Sequence, residues 1–169
     1  MSQSLVSRAR AFAQDAHEAI DQRRKYTNEP YFVHCGAVAD IMAGVEHTPE
    51  MIAAAYLHDV VEDTPVSIDD VRDSFGPKVA DLVGWLTDIS KPSDGNRATR
   101  KAIDRAHSAA APPEAQTIKL ADLIDNTATI VAFDPGFANV YLEEKRLLLE
   151  VMTVGDPTLM KIAREQIGE

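Results

Sequence analysis

The sequence predicts an all-α protein of about eight or nine helices. Three observations predict it. Apolar residues recur at a spacing of about 3.6 over long stretches, no segment alternates as a half-buried strand would, and helix-starting and helix-stopping residues fall between the apolar stripes. Residues from about 4 to 24 carry Leu5, Phe12, Ala16, Ala19 and Ile20 close to one stripe. A second helix is expected over about 34 to 45. "HTPEM" offers Thr48 as an N-cap with Pro49 at the first helical position, opening a helix that reaches Asp63 before Pro65. "SIDD" (67 to 70) reads as a capping box closed by Asp, and Gly76-Pro77 breaks the short helix behind it. "VADLVGWL" forms the next helix, and "SKPSDGNR" (90 to 97) is the clearest loop. A solvated helix face with Arg97, Arg100 and Lys101 follows, and "AAAPPEA" (109 to 115) breaks it. "QTIKLADLIDNTATIVAF" reads as a long helix stopped by "DPG". Two more helices fill 138 to 153 and 157 to 167, the last opened by Asp156-Pro157.

With 169 residues, 45% of them hydrophobic, the chain suits one core, and a single domain over 1–169 is expected. A net charge of −10 makes a nucleic-acid polymer a poor partner, while a small anionic ligand needs only a local basic cluster. One cysteine, Cys35, rules out an internal disulfide and a Cys-rich zinc site, and reads as a buried thiol. The opening residues lack the apolar stretch of a signal peptide, and no run of about 18 apolar residues suggests a membrane span. A cytoplasmic protein is expected, with a homodimer as one assembly open to it.

"YLHDVVEDT" packs His58, Asp59, Glu62 and Asp63 into six positions at the end of an apolar run. Glu62 and Asp63 each lie four residues after His58 and Asp59, which puts the group along one edge of the helix end. Packing gives no reason to gather such charges, since a buried unpaired carboxylate costs about several kcal/mol. Two more residues fit a metal set: His34 at the start of the second helix, and Asp122 inside the apolar "KLADLIDN". Two imidazoles and two carboxylates suit Mn²⁺, Fe²⁺, Co²⁺ or Zn²⁺ better than Ca²⁺. Such an ion polarises a phosphate oxygen and acidifies a water, leaving Glu62 and Asp63 to orient or deprotonate that water. A lone His-Asp pair would prove nothing; four positions with an acidic pair one turn on say more. His17 and His47 lack acidic partners at ligand spacing and read as structural or surface residues, and no Gly-rich phosphate loop is present.

The H…HD…D spacing resembles the HD-domain metal phosphohydrolases, an all-α bundle fold. "RRKYTNEPYFVHCGAVADI" resembles the segment that opens the hydrolase domain of the RelA/SpoT family, and "AAYLHDVVEDT" resembles its HDxxED motif. "FGPKVADLVGWLTD" and "IKLADLIDN" resemble its next two motifs, so the likeness runs in order from about 10 to 130. The chain is too short to add a synthetase domain and is similar in layout to small alarmone hydrolases of the metazoan SpoT homolog type. The resemblance implies one ion, Mn²⁺, on His34, His58, Asp59 and Asp122, with Glu62 and Asp63 serving the attacking water. It implies Arg24 and Lys25 facing substrate phosphates, Asn126 at the nucleotide, Arg97 at distal phosphates, and release of the 3′-pyrophosphate from (p)ppGpp or (p)ppApp.

Departures from the family pattern bear on substrate. His34 is followed by Cys35 where the family has Pro, and Leu123, Asp125 and Ala128 stand where Arg or Lys, His or Tyr, and Arg are common. The pocket has lost positive charge and gained a carboxylate, which brings in adenine alarmones or another nucleotide such as NADPH. Two further readings are an HD nucleotidase acting on nucleoside monophosphates and a catalytically silent nucleotide-binding module. The basic pair before "NEPY" argues against the first, and intact Glu62 and Asp63 argue against the second.

Overall fold

The computed structural model describes residues 3–169. Among them are ten α-helices, one 3-10 turn and no strand, beyond a single isolated bridge between Arg23 and Pro30. None of the described helices is long and apolar enough to cross a membrane. The chain divides into two compact units, one ending at Thr87 and the other running from Asp88 to Glu169.

The first unit holds α1 (Leu5–Ala19), α2 (Phe32–Ala43), α3 (Pro49–Leu57), α4 (Val60–Asp63), α5 (Ile68–Phe75) and α6 (Pro77–Leu86). Helix α3 is its centre. Met51, Ile52, Ala53, Ala54, Ala55 and Leu57 are all buried, the pattern of a helix apolar on every side, and α1, α2 and α6 pack around it. Small residues set the spacing: Ala9 and Ala13 of α1 and Ala53 to Ala55 of α3 are fully buried, so the backbones approach closely. The starts follow the expected caps. Thr48 Oγ1 accepts the Met51 N–H at 3.3 Å; Ser67 and Asp70 exchange side-chain to backbone bonds at 3.1 and 2.9 Å as a capping box. Gly76 joins α5 to α6 at φ 90°, a conformation a side chain would strain.

Most boundaries shift by two or three residues, and two differ from the sequence reading by more. Helix α1 stops at Ala19, short of residue 24, because the chain turns at Asp21 with φ 47° and closes a hairpin whose base is the Tyr31 N–H to Gln22 carbonyl bond of 2.9 Å. The expected continuous helix from Pro49 to Asp63 breaks at His58–Asp59, so α3 and α4 are separate; counted as one interrupted helix, they bring the total to nine. At the break, His58 Nδ1 takes the Ala55 carbonyl at 2.7 Å, a side-chain to backbone bond that competes with the helix ladder.

The second unit holds a 3-10 turn (Pro92–Asp94), α7 (Arg97–Ala110), α8 (Pro113–Phe133), α9 (Pro135–Val151) and α10 (Pro157–Glu165). α9 packs on both α7 and α8, and α10 packs on α8 and α9. Asp104 of α7 ties down the preceding loop, accepting from the Ile89 and Ser90 N–H groups at 2.9 Å each and from the Ser90 hydroxyl at 2.6 Å.

Candidate metal centre

In a continuous helix, adjacent side chains do not face each other. The break between α3 and α4 changes that for His58 and Asp59: Nε2 of the first lies 3.0 Å from Oδ2 of the second. His34, from the first turn of α2, brings its Nε2 to 3.2 Å from His58 Nε2 and 3.7 Å from Asp59 Oδ2. His34 and His58 are 1% and 2% exposed while Asp59 is partly exposed, so the three donor atoms meet at the edge of the first unit's interior. Metal bonds of about 2.0–2.2 Å put neighbouring donors about 3.0 Å apart in an octahedron and about 3.4 Å apart in a tetrahedron. Two sides of the observed triangle, 3.0 and 3.2 Å, match those spacings, and the third, 3.7 Å, is a little longer. The orientation fits as well, because the bond from His58 Nδ1–H to Ala55 leaves a lone pair on Nε2 in the neutral ring. Asp59 Oδ2 also accepts the Tyr31 hydroxyl at 2.5 Å, which steadies the carboxylate. The residues present fit a first-row divalent ion held by nitrogen and oxygen.

Glu62 and Asp63 sit on α4 and are exposed, one turn beyond the triangle. Although Asp63 is exposed as a residue, neighbouring groups partly shield its carboxyl from water, and this desolvation, then the Asp59 charge, push it above its ordinary value; the Gln22 hydrogen bond, His17 and His58 pull the other way. A carboxylate of raised basicity is the form a general base needs near neutral pH. Arg24 and Lys25 lie in the hairpin between α1 and α2, which the Arg24 N–H to Glu29 carbonyl bond of 2.8 Å closes; Lys25 Nζ stands 5.3 Å from the Tyr26 ring centroid.

The second unit presents the other residues. Asp122 is buried on α8, where its two oxygens receive Lys119 Nζ at 3.2 Å and Asn126 Nδ2 at 3.0 Å. Both lie with Asp88, Tyr141 and Lys145 around a cavity of about 170 Å³. Burial pushes Asp88 above its ordinary value and Tyr141 up to about 12, so the phenol stays protonated. Arg97 forks onto Glu144 at 3.1–3.4 Å and lies over the Phe137 ring, so this predicted phosphate contact already has a carboxylate partner. It still borders a polar pocket of about 220 Å³ with Arg100 and Lys101, and the Arg100 Nε is buried with no hydrogen-bond partner.

Three residues of these two regions were not assigned a functional role by the sequence. Tyr31 lies inside the "EPY" stretch, and only the fold reveals its bond to Asp59. His17, read as structural or surface, is 1% exposed and bonded to Gln22. Lys145 occupies the core face of α9 with Ala138 and Leu149. It is 1% exposed and donates to Thr127 Oγ1 at 2.9 Å and Gln166 Oε1 at 2.6 Å. Burial lowers its pKa from 10.5 to about 8. A lysine depressed in the folded state costs stability wherever it is charged, fully below about 8 and not at all above its unfolded value of 10.5. Melting curves of wild type and Lys145→Met should therefore shift in favour of wild type as pH rises from about 8 to about 10. A Tm difference independent of pH would show that the ammonium is not penalised by burial.

A family model described as the HD domain matches residues 9–135. A probable guanosine-3′,5′-bis(diphosphate) 3′-pyrophosphohydrolase of Synechocystis sp. is 37% identical over 134 residues, 78% of this chain and 17% of the relative. The guanosine-3′,5′-bis(diphosphate) 3′-pyrophosphohydrolase of Aquifex aeolicus is 34% identical over 76% of this chain and 18% of its own. The bifunctional (p)ppGpp synthase/hydrolase SpoT of Escherichia coli is 30% identical over 92% and 21%. The chain thus spans about a fifth of the curated relatives it matches. A solved structure described as a metazoan ortholog of SpoT that hydrolyzes ppGpp superimposes with a TM-score of 0.85 at 27% identity, covering 98% of this chain and 95% of that one. A matched segment that takes in most of the chain, including His34, the His58–Asp59 pair and Asp122, places the protein in the HD-domain family.

Proposed function

We propose that the chain is a metal-dependent hydrolase that removes the 3′-pyrophosphate from (p)ppGpp or (p)ppApp. The observation that carries the reading is the triangle of His34, His58 and Asp59 donors, in a chain similar to proteins named for that reaction. Asp122 is the proposed fourth ligand and Mn²⁺ the proposed ion. The buried Asp122 carboxylate supports this, oriented as it is by Lys119 and Asn126 in the manner of supported metal ligands. Both units are read as one hydrolase domain, since the family match runs across Thr87 and Asp88.

When bound, the ion supplies Lewis acidity at a phosphate oxygen and makes a water easier to deprotonate. The chain's own residues do the rest. Asp63, raised in basicity, and Glu62 hold or take the proton of the attacking water. Tyr31 keeps the Asp59 carboxylate turned inward. Arg24 and Lys25 supply positive charge on the hairpin for the substrate phosphates. Asn126 borders the nucleotide pocket, and Arg97 is released to a distal phosphate only by giving up Glu144.

The adenine form deserves equal standing because Leu123 lines the cavity beside Asp122, where the family commonly places a cation. Asp125 adds a carboxylate to the same turn of α8. We expect kcat/KM for pppApp to be at least comparable with that for ppGpp, measured with Mn²⁺ and chromatographic separation of products. A preference for ppGpp of about 100-fold, roughly 2.7 kcal/mol, would show that these positions do not touch base selection. Brisk hydrolysis of NADPH or nucleoside monophosphates, with neither alarmone cleaved, would favour the alternative nucleotidase reading.

A further inference from the structure

One carboxylate, Asp63, has an unassigned support behind it in the first unit. Gln22 donates from Nε2 to Asp63 Oδ2 at 3.2 Å, and its Oε1 meets His17 Nδ1 at 2.7 Å. An amide oxygen only accepts, so His17 Nδ1 carries the proton and donates. The acceptor-only Asp63 carboxylate requires the amide in this orientation, and the His17 Nδ1–H holds it there. Were Gln22 flipped, its oxygen would face the Asp63 carboxylate, two acceptors with no proton between them, and its NH₂ would face an imidazole N–H. The Nδ1–H is present in the neutral and the cationic ring alike, so the relay keeps its direction in both states. In the neutral ring the remaining lone pair is on Nε2, which is buried and has no hydrogen-bond partner.

The relay is also anchored. His17 is 1% exposed at the end of α1, and its ring lies 5.0 Å from that of Tyr31, whose hydroxyl holds Asp59. The Gln22 backbone bonds the His17 carbonyl at 3.1 Å and receives the Tyr31 N–H at 2.9 Å, so Gln22 is pinned on both sides of its Cα. Asp63, by contrast, ends a one-turn helix and has an exposed side chain, which leaves its rotamer dependent on an outside partner.

We propose that His17 and Gln22 are positioning residues that aim the Asp63 carboxylate. His17 holds the amide direction and Gln22 transmits it. This rests on the assignment of Asp63 to the attacking water.

The test is a double-mutant cycle on the full chain with ppGpp and Mn²⁺, reading kcat, KM, bound metal and Tm. Gln22→Leu keeps the side-chain volume and should lower kcat about 10-fold at unchanged KM and metal content, a part of the roughly 10²-fold or more that a positioned base contributes. In an Asp63→Asn background the same change should alter kcat by less than about 2-fold, because the group it aims is gone. His17→Phe keeps a ring beside Tyr31 and should show the same dependence on Asp63, which covers the case of a poorly folding Gln22→Leu. Equal losses in both backgrounds, a loss of bound metal, or no loss in Gln22→Leu would overturn the relay. If Asp63→Asn itself stays at the wild-type rate, the assignment of Asp63 fails instead, whatever Gln22 does.

Discussion

Asp122→Ala should leave the protein without its divalent ion and without turnover. Losing an outer partner of a metal ligand costs about 10- to 100-fold in affinity or activity, and losing a ligand should exceed that. Chelation of the wild type should abolish hydrolysis and added Mn²⁺ should restore it, whereas Mn²⁺ should not restore the variant. The expectation draws on the site as a set: His34, His58 and Asp59 present three donors within 3.0–3.7 Å, fewer than a first-row ion needs for a closed protein site. Elemental analysis of the purified variant checks it. Full occupancy after the substitution would remove Asp122 from the centre and leave its Lys119 and Asn126 bonds as helix packing.

Glu62→Gln and Asp63→Asn should retain metal and nucleotide while losing about 10²-fold or more in kcat, the scale for losing a positioned base. Asp63→Asn carries a second signature. The folded protein holds this carboxyl above its ordinary value, so any stability it contributes is complete only below the unfolded pKa and is lost as pH rises through the folded one. In the metal-free protein ionising this carboxyl therefore costs stability, and Asp63→Asn should gain on wild type in Tm as pH rises through the folded value, while its metal-loaded form is far slower. A variant both slower and less stable would point to a structural role. Near-wild-type rates in both variants would leave water activation to the metal alone.

The all-α class and most helix positions were legible because their signals are local. Thr48-Pro49, Ser67 with Asp70, Gly76-Pro77 and Asp156-Pro157 each start or stop a helix by bonds within four residues, and all do so in the structure. His58 and Asp59 were legible as a pair for the same reason. The way they converge was not, because it depends on the break that His58 makes by taking the Ala55 carbonyl, an event a continuous 3.6-residue stripe conceals. The supports were hidden for another reason. Tyr31 reaches Asp59 across 28 positions and Gln22 reaches Asp63 across 41, so only tertiary packing brings them together. Lys145 was missed because a lysine between charged neighbours in "EEKR" reads as solvated, while the structure gives the buried face of α9 to Ala138, Lys145 and Leu149.

The most direct test of the account is product analysis with the purified chain, ppGpp and Mn²⁺. The account predicts GDP and pyrophosphate in equal amounts, a signal that disappears with chelator and in His58→Ala. Orthophosphate as the sole phosphorus product, or no cleavage of ppGpp or its adenine counterpart with the metal confirmed bound, would contradict it.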